Sequence, residues 1–213
     1  MALRIHRILT HGGEIVRTVH RRHLAALTAT AALLLATGSS NNASGLSPAS
    51  PEPTTQAATP QQYHLRMHHL HTGEDIDVVY RIGDTYIPEA LDRLNHFLRD
   101  HRTQDVSSYD PKEFDVLHAL MTSLGRPNGI IDIVCGYRTP WSNNFLRTRS
   151  ASTGVAEHSQ HMLAKAIDIR VPGVSTAALR DAALALHAGG VGFYPVSQFV
   201  HVDVGPVRTW SYR

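Results

Sequence analysis

From residue 39 to residue 62 the chain carries one large apolar side chain, Leu46, in a run of Ser, Asn, Pro, Ala, Thr and Gln. Such a segment cannot bury enough surface to offset the entropy of ordering it, so it reads as a disordered linker. Any hydrophobic core is thereby confined to residues 63–213, and about 150 residues is the size of one well-buried domain. One catalytic domain is the expectation.

Ahead of the linker, residues 1–38 have the layout of an export signal: the basic pair Arg21-Arg22, an apolar stretch from Leu24 to Ala36, then small residues. The apolar stretch falls short of the ~20 residues that cross a bilayer, so the mature form is expected to have no stable membrane span. Arg21-Arg22 resembles a twin-arginine signal, although His20 precedes the pair where Ser or Thr is usual and Leu24 follows it. The twin-arginine or general export machinery is the expected partner, and the periplasm the expected location. Residues 1–36 hold five arginines against Glu14, a net +4 within an overall +2, so the remainder is near −2. A folded part with that balance lacks the basic patch that a nucleic-acid partner requires. Cys135 is the only cysteine, which excludes an intramolecular disulfide. In the apolar run Ile130 to Cys135 it reads as a packing residue without a catalytic role.

Within the domain, two strand-like runs from Tyr63 to Tyr80 flank His71-Thr72-Gly73-Glu74 and predict a β-hairpin. Leu91, Leu94 and Leu98 mark one buried stripe of a helix opened by Ile87-Pro88. A second helix is capped by Asp110, with Pro111 in its first turn and Glu113 completing a capping box; Phe114, Leu117, Leu120, Met121 and Leu124 face inward before Gly125 ends it. Strands follow at 130–135, 166–171 and 199–204, and a helix from Thr176 to His187 is closed by Gly189-Gly190. The polar stretch from Gly136 to about Gln160 is long for a connection and reads as functional or partly helical. The pattern predicts an α+β domain with a small, largely antiparallel sheet on which helices pack.

Strand alternation carries the chemistry. Val200, Val202 and Val204 share one face, while His201 and Asp203 share the other; Ile167 and Ile169 likewise oppose Asp168. His161, in a loop or strand entry just upstream, is placed to reach the side of Asp168. Two imidazoles and a carboxylate make a three-ligand zinc site with a fourth position for the water that hydrolysis requires, although His-x-Asp on a strand is also the spacing of a structural hydrogen-bonded pair. Fifteen histidines invite a wider metal reading. Alternation in the first hairpin, however, puts His64 and His68 on one face and His69 and His71 on the other, as solvated or cleft-lining groups.

Ser159-Gln160-His161-Met162-Leu163-Ala164-Lys165-Ala166-Ile167-Asp168, with His201-Val202-Asp203, resembles the signatures of the zinc D-alanyl-D-alanine carboxypeptidase and dipeptidase superfamily. Gly136-Tyr137-Arg138 is similar to its G-Y-R segment. Within that superfamily, Leu70 to Glu74, Leu94 to Asp100, Ala188 to Gly192 and Val204 to Trp210 resemble the murein endopeptidase K family, over residues 64–210. The resemblance implies a sheet with its zinc cleft on one face, as in the D-alanyl-D-alanine carboxypeptidase and Hedgehog type of fold. It implies one Zn2+ per chain held by His161, Asp168 and His201, with peptidoglycan stem peptides as substrate and a metal-activated water as nucleophile. Arg138 would point into the cleft to hold a substrate carboxylate or stabilise the oxyanion, against the alternative of a structural salt bridge. Ser159 would orient the ligand loop or bind substrate. Tyr137 is a candidate substrate contact, and so is Tyr194, though both are equally readable as packing residues.

Two positions depart from the pattern. Ala164 stands where Gly is usual, and a positive φ there would strain it by roughly 1 kcal/mol or more. Gln198 stands where well-studied relatives have a catalytic Glu, and an amide cannot take a proton. Asp203 is then the candidate general base, or else a carboxylate that hydrogen-bonds a ligand imidazole. The expected activity is cleavage of peptide cross-links in peptidoglycan. The alternatives are a carboxypeptidase that trims stem peptides and a wall-binding protein without catalysis.

Overall fold

The hairpin forms, with β1 (Gln62–His69) and β2 (Asp75–Ile82) paired antiparallel around a turn at Gly73, whose φ of +72° suits glycine. A computed structural model describes residues 59–149 and 153–212. The export signal at 1–38 and nearly all of the 39–62 linker lie outside the described residues.

After the two-residue β3 (Thr85–Tyr86), α1 (Pro88–Phe97) and α2 (Pro111–Ser123) run before β4 (Ile130–Cys135). This helical crossover returns the chain beside β1 in the same direction, so β1 and β4 pair parallel. The stretch expected to be functional or partly helical contains α3 (Pro140–Thr148), whose cap Thr139 accepts from Ser142 N at 3.1 Å. A single 3-10 turn (Gln160–Leu163) leads into β5 (Ala166–Arg170), and α4 (Thr176–Ala185) precedes β6 (Gly190–Tyr194), β7 (Phe199–Asp203) and β8 (Arg208–Ser211).

The domain is α+β, but the small, largely antiparallel sheet expected of it is corrected. One mixed sheet of eight strands runs β3-β2-β1-β4-β5-β7-β6-β8, with β1–β4 and β6–β8 parallel. β6 and β8 escape a search for alternating apolar residues because β6 begins at Gly190, which with Gly189 reads as a helix stop, and has Gly192 at its centre, while β8 is polar. The glycines are there for close approach: a Cβ on Gly189 would stand 1.7 Å from the Asp203 carbonyl oxygen, and one on Gly192 would stand 2.6 Å from the Trp210 ring.

One core joins the helices to the sheet. Leu94, Phe114, Leu117 and Leu120 meet Ile131, Ile133, Ile167, Ile169 and Val200, all fully buried. Each such side chain contributes about 1.5–3 kcal/mol relative to exposure, so the apolar faces of β5 and β7 anchor the residues carried on their other faces. The expected capping box is only half made. Asp110 accepts from Lys112 N at 3.1 Å, whereas Glu113 turns inward, is fully buried, and has no hydrogen-bond partner on either oxygen.

Candidate metal centre

β5 and β7 lie side by side at the middle of the sheet with Asp168 opposite His201. Their neighbours in register, Ile167 with Val202 and Ile169 with Val200, point into the core, so Asp168 and His201 project together from the opposite face. His161 arrives from the 3-10 turn, where Ser159 accepts from His161 N at 3.3 Å. The turn ends at Ala164, which is left-handed (φ +50°, ψ +46°) and fully buried. Relief of that strain would return about 1–2 kcal/mol, but the buried methyl is itself worth about 0.8 kcal/mol and glycine loosens the unfolded chain by a similar amount. Ala164→Gly is therefore expected to change stability by less than about 1 kcal/mol in urea denaturation, where relief of strain alone would predict a clear gain.

Three atoms converge on one point. His161 Nε2 is 3.1 Å from His201 Nδ1 and 3.2 Å from Asp168 Oδ1, and His201 Nδ1 is 2.9 Å from Asp168 Oδ1. The far nitrogen of each ring is engaged behind the site. His161 Nδ1 donates to Gly136 O at 2.8 Å, and His201 Nε2 donates to Asp203 Oδ2 at 2.9 Å. Both inward nitrogens are thus left as lone pairs facing a carboxylate, and three such atoms in contact require a shared cation, either a proton on His201 or a metal ion. The separations of 2.9–3.2 Å are close to the ~3.3 Å edge of a tetrahedron with Zn–N bonds of ~2.0–2.1 Å. The residues present therefore fit zinc.

The electrostatics agree. Burial lowers the pKa of His161, which keeps its ring neutral. Burial works against the charge of Asp168, but His161 and His201 hold its carboxyl far below the usual range. Burial also opposes protonation of His201, and Asp168 with Asp203 overcomes it to raise that pKa.

Asp203 lies behind His201, where its carboxylate hydrogen-bonds the ring of that imidazole. It is 1 % exposed and its two oxygens accept from His201, from Arg208 at 2.7 and 3.0 Å, and from Gly190 N and Gly205 N at 3.0 and 2.8 Å. Burial opposes its charge, but these partners hold its pKa far below normal, so it is a poor proton acceptor. Gln198 lies outside the cleft, beside Asp132 and Arg170.

Arg138 does face the cleft floor, and it also makes the salt bridge that was its alternative. Its guanidinium is 3.6 Å from Asp168 Oδ2 and donates to Asn143 Oδ1 at 3.2 Å and to Cys135 Sγ at 3.4 Å. Asp100 braces the turn that carries it by accepting from Thr139 N and Oγ1, both at 2.8 Å. Tyr137 is not brought into the cleft. It packs, partly buried, against the core. Cys135 was read as packing, yet its thiol is at the site: Cys135, His161 and Asp168 offer atoms that lie within 4.8 Å of one another. A register irregularity between Ile133 and Cys135 pairs Cys135 with Asp168, so the bulge turns its side chain from the core toward the cleft. Burial pushes the thiol pKa up, which keeps it protonated.

The centre lies in a cleft of about 190 Å³ that Arg138, Ser159, His161, Asp168 and His201 line. Tyr194, Phe199, Trp210 and Tyr212 supply its aromatic wall, of which the residue pattern had marked only Tyr194. His158 lines it too, whereas the hairpin histidines do not. His64 and His68 pair with Asp77 and Asp75, and His69 is fully buried with its Nδ1 accepting from His71 N at 3.2 Å.

Comparison with known proteins bears on the whole domain. A family model described as peptidoglycan L,D-endopeptidase MepK matches residues 57–210. The peptidoglycan L,D-endopeptidase MepK of Escherichia coli strain K12 is 44% identical over 153 residues, covering 72% of this chain and 82% of its own length. The probable peptidoglycan L,D-endopeptidase MepK of Haemophilus influenzae strain Rd is 40% identical over 154 residues, with the same 72% and 82% coverage. No solved structure matches.

Proposed function

The chain belongs to the peptidoglycan L,D-endopeptidase MepK family, and on that footing we propose that it is a zinc metallopeptidase that hydrolyses peptide cross-links of peptidoglycan. The observation that carries the zinc reading is the convergence of His161 Nε2, Asp168 Oδ1 and His201 Nδ1 at the floor of the cleft. A zinc ion held there supplies a Lewis acid that polarises a carbonyl and makes water a nucleophile near neutral pH.

The chain's own residues do the rest. His161 and His201 present lone pairs because Gly136 O and Asp203 fix the protons on their outer nitrogens. Asp168 balances the charge of Arg138 as well as offering its oxygen inward. Arg138 lends positive potential to the cleft, where a substrate carboxylate or developing negative charge is favoured. Ser159 holds the turn that carries His161, and the aromatic wall shields the peptide from water. We take Cys135 as a neighbour of the site and not a ligand, since a donor contact from Arg138 occupies its sulfur. Peptidoglycan lies outside the cytoplasmic membrane, so the enzyme is assigned to the periplasm, with residues 1–38 as its export signal.

Incubation of the purified protein with cross-linked muropeptides, followed by mass spectrometry, tests this. Dimers are expected to become monomers, chelator to stop the reaction and zinc to restore it. Dimers left intact in added zinc would overturn the proposal, and removal of one terminal residue from monomers would make the enzyme a carboxypeptidase. A second expected outcome concerns Asp203. Asp203→Asn removes the charge that faces His201 and is expected to weaken zinc binding about 10–100-fold in chelator competition. Unchanged zinc affinity with turnover lost would return Asp203 to the role of base.

A further inference from the structure

Tyr194 stands on the cleft wall with its hydroxyl held from behind. Trp210 Nε1 donates to Tyr194 Oη at 3.0 Å, and the Tyr194 ring stacks on Phe199 at 4.3 Å with 15° between the planes. β8 brings Trp210 alongside Gly192, and because that residue has no side chain the indole crosses it to lie 5.1 Å from the His201 ring. An oxygen that accepts from the indole still has its own O–H to give, and among the described residues none accepts it. Around the same cleft stand Arg138, His161, Asp168 and His201. Burial, then the charge of Asp168, raises the Tyr194 pKa, so the phenol keeps its proton at neutral pH and acts as donor, not base. Arg138 gives one N–H of Nη1 to Asn143 and one of Nη2 to Cys135, and its guanidinium faces Asp168 at 3.6 Å, which fixes its charge at the floor of the cleft.

We propose that Tyr194 is a catalytic residue whose hydroxyl donates a hydrogen bond to the carbonyl oxygen of the scissile peptide as negative charge develops on it, with Trp210 as its positioning residue. A fixed donor in a cleft sheltered from water acts mainly on the transition state, because the charge it meets is formed there. The inference rests on the endopeptidase reading of this cleft.

The test uses the zinc-loaded full chain and Tyr194→Phe, which removes one oxygen and keeps the ring stack. kcat on cross-linked muropeptides is expected to fall about 100-fold, with KM within about threefold of the parent. Affinity for a tetrahedral phosphinate analogue of the cleaved dipeptide is expected to fall by a similar factor, while zinc content and melting temperature are unchanged. Trp210→Phe is expected to lower kcat about tenfold, and the double variant to be no slower than Tyr194→Phe alone. Parent-like kcat in Tyr194→Phe, a loss confined to KM, unchanged phosphinate affinity, or additive effects in the double variant would each overturn the inference. A parent protein that binds zinc and cleaves no cross-link would overturn the endopeptidase reading instead, and this inference with it.

Discussion

Asp168→Asn is expected to weaken zinc binding more than 100-fold and to slow release of monomers from cross-linked muropeptides by about 1,000-fold or more. The argument is one of charge. Asp168 Oδ1 faces both ligand imidazoles at 2.9 and 3.2 Å, and Oδ2 faces the buried Arg138 guanidinium at 3.6 Å. An amide of the same shape keeps the packing but removes the single negative charge that a dication and a guanidinium both require. Breaking a buried pair in this way typically costs 3–5 kcal/mol, so the variant should also lose about 3 kcal/mol of unfolding free energy in urea denaturation. Cys135→Ser separates the two possible ligand sets. It is expected to keep zinc and turnover, and loss of zinc in that variant would make the thiol a ligand in place of His201. Zinc content is read by chelator competition and turnover by liquid chromatography. Full zinc affinity in Asp168→Asn would remove Asp168 from the ligand set.

Glu113→Leu is expected to stabilise the domain by about 2 kcal/mol near pH 7, the cost of a buried polar group left without a hydrogen bond. Glu113 is wholly buried and unpaired, and burial, then the negative charges of Asp203 and Asp110, pushes its pKa well above the carboxylate range. The sign follows from linkage. At acid pH the group is protonated in both states, and as pH rises past the ordinary value of about 4.3 the unfolded chain releases the proton first. Stability is therefore lost as pH rises, and removing Glu113 should help more at pH 8 than at pH 5. The melting temperature near neutrality should rise by roughly 4–8 °C. An equal gain at both pH values would mean that ionisation of Glu113 is not the cause.

The strand alternation of β5 and β7 was legible in the residues, because an exact period of two with Ile and Val on one face leaves Asp168, His201 and Asp203 only the other. Alternation alone could not say what Asp203 does there. Its role depends on Arg208 and on the amides of Gly190 and Gly205, which come from β8, the start of β6 and the turn before β8, none of them marked by alternating apolar residues. Cys135 was misplaced for a similar reason. Counted in twos from Ile131 and Ile133 it belongs to the core, and a bulge, which costs one residue of register, has no mark in this sequence. Trp210 went unremarked as a cleft residue because it reaches the site across a glycine, and the space that Gly192 leaves is visible only when β6 and β8 are paired. Glu113 looked like a capping partner by spacing, yet the cap is satisfied without it.

The pairing of β5 with β7 has one further consequence. Sliding either strand by a single residue would turn Asp168 or His201 into the Ile and Val layer and bring apolar side chains out into the cleft. An uncompensated carboxylate or imidazole in that layer would cost several kcal/mol, a large share of what any domain of this size has to spare. Misaligned chains are thus rejected during folding by the same residues that later meet the substrate, and those residues act as a checkpoint on strand alignment before they act as a site.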